Sequence, residues 1–210
     1  LDAPIQQYCP EFPEKRWPVT ARQLLAHLGG VRHYNAPGES TGKEFYPTLT
    51  RSLVLFKDDP ILHEPGTRFH YTTFGYTLLG CAVESASGMS FDDYLNQRIF
   101  QPAGMDSTHI DHVRLLIPNR ARGYIKMDRG MLATLPDALK PKFRIGEVYN
   151  ATLHDTSMKV PGGGLVSTSE DLVRFVIALN ANKLVNEATR ERVLKVIEEL
   201  NYSPNRQARG

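Results

Sequence analysis

Apolar side chains recur three and four positions apart along much of the chain, which is the period of an α-helix with one buried face. Several of these stretches begin at a Thr, Ser or Asn that can cap the first turn. The pattern predicts helices over 21–28, 48–56, 73–88, 91–100, 168–180 and 186–200. Strand-like alternation occurs in short pieces such as 123–127, and the stretch from 109 to 159 is otherwise irregular. The sequence therefore predicts a mostly helical chain with few strands.

Size and charge restrict the classes of function. The chain has 210 residues with 41% hydrophobic content, which suits one domain with a substantial core. Its 25 Lys and Arg residues are interspersed with 23 Asp and Glu residues, and the net charge is +2. This balance gives no electrostatic reason to expect nucleic acid or a membrane surface as a partner. The longest apolar runs are also shorter than the roughly 18 residues of a membrane span.

Cysteines and histidines offer little evidence for a metal site. Cys9 and Cys81 are too few for a disulfide framework and lack metal-ligand spacing, so we interpret them as buried thiols, which favours a reducing compartment. His109 and His112 lie three positions apart with no third ligand nearby, which favours a polar turn over a metal site. We predict no metal and no cofactor.

A tyrosine lies between a Pro-Gly turn and the start of a helix. Pro65 and Gly66 precede Tyr71, and an apolar helical pattern starts at Thr72 or Thr73. The unpaired N–H groups and positive dipole end of a helix N-terminus favour the anionic form of a phenol. Tyr71 is thus a candidate general base, and the alternative interpretation is a buried phenol that stabilises a turn.

Three consecutive glycines precede another predicted helix. Gly162, Gly163 and Gly164 allow a close approach of the backbone to another surface, and Thr168 then begins an amphipathic helix. Gly163 and Gly164 are candidates for the lining of a substrate pocket. Close packing of the backbone is an equally acceptable explanation of both glycines.

Four segments in this order resemble the serine β-lactamase and penicillin-binding-protein superfamily, in its class C and esterase-like branch. Residues 1–5 resemble its L-D-x-P-V segment, and 20–30 resemble its T-x-x-x-L-L-x-H-x-x-G helix. Residues 65–79 resemble its P-G-x-x-F-x-Y-S-N-x-x-Y-x-L-L block, and 163–175 resemble G-G-L-x-S-T-x-x-D-L-x-x-F. The runs at 11–15, 32–34 and 71–79 are most similar to the animal mitochondrial members of this superfamily.

The resemblance implies acyl transfer on an α+β fold of the β-lactamase and transpeptidase type. Such enzymes use the Ser of an S-x-x-K motif as nucleophile, its Lys as partner, a Tyr as base and an H-T-G or K-T-G strand beside the pocket. Tyr71 matches that tyrosine, whereas Thr73 replaces the usual Asn and offers a hydroxyl in place of an amide. The substrate implied is a small molecule or peptide with a peptide, ester or amide bond.

The missing motifs imply that residues 1–210 are the central part of a single domain. In the family, S-x-x-K precedes the L-D-x-P segment and the H-T-G strand follows the last helices. We therefore expect this chain alone to be inactive, and its antiparallel sheet to be incomplete. Helices that normally cover the sheet would then expose an apolar face and promote association.

Two alternatives to a tyrosine-assisted serine hydrolase remain open. The resemblance to the mitochondrial members also implies a structural, filament-forming or otherwise homo-oligomeric protein connected with lipid metabolism. Separately, Ser40 satisfies both S-x-x-K, through Lys43, and the G-x-S-x-G nucleophile elbow of α/β-hydrolases, through Gly38 and Gly42. The polar residues before Ser40 make a poor buried strand, so a surface loop is the preferred interpretation.

Overall fold

Helices dominate the structure, a computed structural model that describes residues 1–36, 39, 40 and 44–199. Within these residues the α-helices are α1 (Ala21–Leu25), α2 (Leu49–Ser52), α3 (Thr73–Ser87), α4 (Phe91–Leu95), α5 (Gln101–Ala103), α6 (Arg129–Thr134), α7 (Ser169–Asn180) and α8 (Glu187–Glu199). A π-helical turn (Asn96–Phe100) joins α4 to α5, and 3₁₀ turns form at Ile5–Gln7, Leu53–Leu55, Lys140–Lys142 and Val160–Gly162. The strands are β1 (His109–Ile110), β2 (Tyr124–Lys126), β3 (Val148–Asn150) and β4 (Leu165–Val166).

The strands form two small antiparallel sheets. β1 pairs with β4, with His109 opposite Val166, and β2 pairs with β3, with Ile125 opposite Tyr149. Helices with small antiparallel sheets make this an α+β fold, as predicted, with the sheet content small within the described residues. None of the helices described is both long and apolar enough to cross a membrane.

The predicted helices are present, but several are shorter or less regular than their sequence pattern. The first ends at Leu25, three residues early, because Ala26 leaves the helix and His27 has a left-handed φ of 57°. The stretch from 49 to 55 divides into α2 and a 3₁₀ turn. The predicted helix over 91–100 continues beyond Phe100 into α5, whose first turn accommodates Pro102.

Helix α3 is the centre of the fold. Thr72 caps its N-terminus by accepting a hydrogen bond from the Gly75 N–H, and Gly88 ends it with a left-handed φ of 67°. Phe74 and Leu78 are fully buried, and the Phe74 ring stacks on Phe56 with centroids 4.5 Å apart. The rest of the core packs around them: Ile5, Phe12, Val19, Leu24, Val31, Leu53 and Ile61.

A glycine on α3 lets two other segments approach it. A Cβ at Gly80 would lie 2.1 Å from Leu49 Cδ1 and 2.7 Å from Pro161 Cγ. Any side chain there would therefore separate α3 from α2 and from the 3₁₀ turn Val160–Gly162. This contact holds the glycine run beside α3.

A buried carboxylate of α3 binds the start of α2. Glu84 accepts hydrogen bonds from the Leu49 and Thr50 N–H groups, each at 3.0 Å, and from the Thr50 hydroxyl at 2.9 Å. A carboxylate at a helix N-terminus satisfies unpaired N–H groups and interacts favourably with the helix dipole. These hydrogen bonds offset the cost of burying the Glu84 carboxylate, and they fix α2 against α3.

Cys9 and Cys81 form a disulfide, so the prediction of free thiols was wrong. Both residues are fully buried in the main core, and their Cα atoms lie 5.6 Å apart although 72 positions separate them in sequence. The covalent bond connects the N-terminal segment to the middle of α3. With this bond present, the inference of a reducing compartment loses its basis.

Replacing Cys81 by Ser should lower the free energy of unfolding by about 3 kcal/mol, because a closed loop of this length restricts the unfolded chain. Urea unfolding of the two proteins, monitored by circular dichroism, measures the difference. Cys9→Ser should give a similar value, and adding Cys9→Ser to Cys81→Ser should cost much less than a second 3 kcal/mol. Fully additive losses would contradict a shared bond.

The outer face of α7 is apolar and exposed, as we had expected for a helix without its sheet. Leu172, Val173, Val176 and Ile177 lie on one side of this helix and are 51–59% exposed. The opposite side is anchored by Asp171, which accepts hydrogen bonds from the Ser107 N–H and the Thr108 hydroxyl, both at 2.8 Å. We call these four apolar side chains the α7 face.

The α7 face should cause residues 1–210 to self-associate in solution. Sedimentation velocity should show concentration-dependent oligomers, and Val173→Lys with Ile177→Lys should raise the dissociation constant by about tenfold or more. Leu116→Lys, at an even more exposed leucine outside this face, is the matched control and should leave association unchanged. Equal effects of both sets of substitutions would show that the α7 face is not the contact.

Candidate functional site

Tyr71 immediately precedes the N-cap of α3 and is accessible. Its side chain is 53% exposed, and its ring contacts two imidazoles: His27 at 4.6 Å and His33 at 5.4 Å between centroids. Among the described residues, its hydroxyl has no hydrogen-bond partner. The ring contacts with His27 and His33 therefore position the side chain, and its hydroxyl stays accessible. Tyr71 is not the buried phenol of the alternative interpretation.

The N–H groups next to Tyr71 are already bonded. The Thr72 N–H donates to His27 Nδ1 at 3.3 Å, the Thr73 N–H donates to His33 Nδ1 at 3.2 Å, and the Thr72 hydroxyl accepts from Gly75. The expectation that Tyr71 has unpaired N–H groups beside it is thus wrong for these three positions. The dipole of the 15-residue helix still directs its positive end toward the phenol.

The surroundings of both histidines disfavour the charged imidazolium form. Burial lowers the pKa of His27, and the neighbouring His33 and His70 lower it further. Burial also lowers the pKa of His33, His70 adds to this effect, and Glu39 opposes it. Since each Nδ1 accepts a backbone hydrogen bond, the ring proton of each imidazole is on Nε2.

A second tyrosine nearby is unsuited to proton transfer. Tyr34 packs against His33 with ring centroids 4.4 Å apart, and against Phe74 at 5.0 Å. Burial raises the pKa of the Tyr34 phenol above its ordinary value of 10.0. The accessible Tyr71 is therefore the better candidate of the two.

Thr73 is the first residue of α3 and is only 6% exposed. Its methyl group packs against the glycine run, where a Cβ at Gly162 would lie 2.9 Å from Thr73 Cγ2. A hydroxyl so well covered has little access to solvent, and its contact with a substrate stays a prediction.

The two candidate glycines differ in their surroundings. Gly163 has a φ of 145° and no described atom within 4 Å of a Cβ placed there, so it borders open space. Gly164 has a φ of 130°, and a Cβ there would lie 2.9 Å from Thr156 Cβ. Gly163 is therefore placed as a pocket residue would be, whereas close packing accounts for Gly164.

A buried arginine organises the segment that carries His33. Arg32 Nε donates to Asp59 at 2.5 Å, and its two terminal nitrogens donate to Glu39 at 2.9 and 2.8 Å. They also donate to the carbonyl oxygens of His33 and Leu55, so all five N–H groups are used. The Arg32 carbonyl in turn accepts from the Thr72 hydroxyl at 2.6 Å, which fixes His33 relative to the start of α3.

The remaining sequence candidates lie apart from this site. His112 is bonded to Asp92 at 2.7 Å, and His109 and His112 both line a separate cavity of ≈ 230 Å³. Within the described residues, one group of three potential metal ligands was found, Cys9, Glu11 and Cys81, whose two sulfurs are bonded to each other.

The Ser40 alternative fails on its context. Residues 1–36 contain no strand element that could lead into a nucleophile elbow, which requires one. The structure does not describe residues 37, 38 and 41–43, which include the two glycines and the lysine of the Ser40 motifs.

Comparison with known proteins gives one consistent family. The Beta-lactamase family model matches residues 1–209. The human mitochondrial serine beta-lactamase-like protein LACTB is 30% identical over 243 aligned residues, which cover 83% of this chain and 41% of that protein. The chain thus spans about two fifths of that relative.

Solved structures agree with the sequence comparison. A penicillin-binding protein from Bacillus halodurans superposes with a TM-score of 0.69 and 28% identity, over 92% of this chain and 55% of that one. A D-amino acid amidase from Ochrobactrum anthropi superposes with a TM-score of 0.67 and 27% identity, over 90% and 52%. On the fold and the match along almost its whole length, this chain belongs to the beta-lactamase family.

Proposed function

We propose that this protein is a serine hydrolase that cleaves peptide, ester or amide bonds by acyl transfer, and that Tyr71 is its general base. The observation that carries this proposal is an exposed phenol immediately before the N-terminus of α3, where its ring contacts His27 and His33 and where the next residues pack against the glycine run at Gly162. The family of the chain, with an amidase among the similar structures, supports the same reaction class.

In this proposal, residues 1–210 supply the general base, and residues outside this segment supply the nucleophile. A serine hydroxyl attacks the carbonyl carbon, its proton passes to the Tyr71 oxygen, and the proton then moves to the departing amine or alcohol. Water next cleaves the acyl-serine ester and restores the free hydroxyl. Since a free phenol has a pKa of about 10, Tyr71 needs a nearby cation to act at neutral pH.

No lysine or arginine of the described residues forms a hydrogen bond, ion pair or cation–π contact with Tyr71. We therefore propose that the serine and its lysine lie outside residues 1–210, and that these residues are the central part of one domain. On this basis the segment alone is inactive, and a mitochondrial location follows the similarity to human LACTB.

Labelling with a fluorophosphonate or a fluorescent penicillin tests the proposal on the intact protein. We expect covalent label on one serine outside residues 1–210, and none on the separate segment or on heat-denatured protein. Label on Ser40 would instead support a different hydrolase mechanism.

Absence of label would favour a second function, a non-catalytic assembly or filament protein on the same fold. The exposed α7 face is the observation behind this second function. A role in lipid metabolism stays a prediction from the sequence resemblance.

A further inference from the structure

The Tyr71 ring contacts two imidazoles from the segment that follows α1. His27 follows α1 and inclines by 43° to the Tyr71 ring, whereas His33 meets that ring edge-on at 72°. Each imidazole also contacts a second tyrosine ring, His27 that of Tyr76 at 5.1 Å and His33 that of Tyr34 at 4.4 Å. Because aromatic neighbours restrict each imidazole, neither is free to turn away from Tyr71.

The same two imidazoles bind the backbone that carries Tyr71. Their Nδ1 atoms accept the N–H groups of Thr72 and Thr73, the next two residues of the chain. The His27 carbonyl also accepts the His70 N–H at 2.8 Å, on the other side of Tyr71. The three residues flanking the tyrosine are thus hydrogen-bonded to the two histidines that touch its ring.

We propose that His27 and His33 are positioning residues for Tyr71, and that both act as neutral imidazoles protonated at Nε2. This inference rests on the proposed role of Tyr71 as general base. The histidines hold the phenol ring in one orientation, so its oxygen stays where a serine proton must arrive. A displacement of about 1 Å in such a group can cost a factor of about 100 in rate.

The choice of a neutral acceptor has an electrostatic consequence. Carboxylates are favourable partners at helix N-termini, but a carboxylate here would place a negative charge beside the phenolate that the reaction requires. An uncharged Nδ1 satisfies the N–H group and leaves the positive end of the α3 dipole to act on Tyr71. The charged and titratable groups near the pair are His70 and Glu39, and Glu39 is hydrogen-bonded to Arg32, whose single positive charge is shared with Asp59.

Nitrogen NMR of the intact protein, labelled with ¹⁵N-histidine, tests the tautomers without any measurement of activity. The signals of His27 and His33 are assigned by their loss in His27→Asn and His33→Asn. We expect both rings to carry the proton on Nε2 at pH 7. A proton on Nδ1 of either ring, or a charged ring, would overturn the proposal.

Kinetics of the double variant His27→Asn with His33→Asn test the positioning role. Asparagine keeps an acceptor near each N–H group but removes the ring, so we expect kcat to fall about 10-fold to 100-fold with KM within about twofold. The variant should melt within a few degrees of the wild type, and His154→Asn, at an exposed histidine, should change nothing. Unchanged kcat in the double variant would overturn the inference.

Two variants, His33→Asn and His33→Asp, test the effect of a negative charge beside the Tyr71 phenol. We expect His33→Asp to raise the pKa of the Tyr71 phenol by about one pH unit relative to His33→Asn, because the added carboxylate disfavours the phenolate. The phenol is titrated through its ¹³Cζ signal, which Tyr71→Phe identifies. Equal phenol pKa values in the two variants would contradict the argument.

Failure of the proposed function would look different from failure of this inference. If Tyr71→Phe left turnover unchanged, Tyr71 would not be the base, while the tautomers and the phenol titration would still decide whether the histidines hold it. If Tyr71→Phe abolished turnover and the double histidine variant left kcat unchanged, the proposed function would be supported and the positioning role of the histidines would be excluded.

Discussion

Replacing Tyr71 by Phe should lower kcat/KM of the intact protein by about 10³, most of it in kcat, because the variant lacks the oxygen that accepts the serine proton. KM should change little, since the ring and its contacts with His27 and His33 are retained. Steady-state kinetics with a chromogenic ester and with a D-amino acid amide measure both parameters.

The matched control is Tyr124→Phe, which removes the hydroxyl of another exposed tyrosine on β2. It should leave both parameters within about twofold of the wild type. A Tyr71→Phe enzyme that kept more than a tenth of its activity would exclude the phenol as the main base. The reactive serine should also be labelled more slowly in Tyr71→Phe than in the wild type, which would support the role of Tyr71 independently of turnover.

Arg32→Met should destabilise the fold by about 3 kcal/mol, because it leaves the largely buried Glu39 carboxylate without its counterion. The Arg32 side chain is 11% exposed and donates five hydrogen bonds, and its guanidinium also lies over the Phe74 ring. Arg32→Lys should also be destabilising, since an ammonium cannot supply five N–H groups in one plane. Chemical unfolding monitored by circular dichroism measures these changes.

Arg22→Met provides a sharp comparison, since Arg22 also binds an aspartate through two nitrogens. The Arg22–Asp2 pair is exposed, with 56% of the Arg22 side chain accessible, so its loss should leave the free energy of unfolding nearly unchanged. Similar losses for Arg22→Met and Arg32→Met would show that burial does not decide the value of these pairs.

Acid should reduce the difference between Arg32→Met and wild type. Burial raises the pKa of Glu39, but hydrogen bonds from Arg32, Asn35 and Ala36 outweigh it and leave that pKa below its ordinary value of 4.5. A depressed pKa contributes stability that is complete above 4.5 and is lost as the pH falls through the folded-state pKa. The difference in unfolding free energy between the two proteins should therefore be largest at pH 7 and should decrease as the pH falls below 4.5.

Local features of the chain were predictable from sequence because they depend on neighbouring residues. Thr72 caps α3 and Gly88 ends it, as the pattern predicts, and Thr168 and Asn186 likewise begin α7 and α8. Caps and apolar periodicity act within one or two turns, so they are visible in sequence. The irregular turn from Asn96 to Phe100 was missed, since its pattern fits an ordinary helix equally well.

The site was predictable only in part. The position of Tyr71 before a helix made it a candidate, whereas the hydrogen bond from the Thr72 N–H to His27 Nδ1 became visible only in the structure. His33 was missed as a site residue, because its partner Thr73 lies 40 positions away and nothing in the neighbouring residues indicates the contact.

The sequence by itself determined which segments are helical, where most of them begin, and which tyrosine stands at the head of the longest described helix. Tertiary structure alone decided that Cys9 bonds to Cys81, that Arg32 uses all five donors, and that two histidines contact the Tyr71 ring. The physical reason is range: caps and turns are local interactions, whereas these contacts exist only after the N-terminal segments have packed against α3.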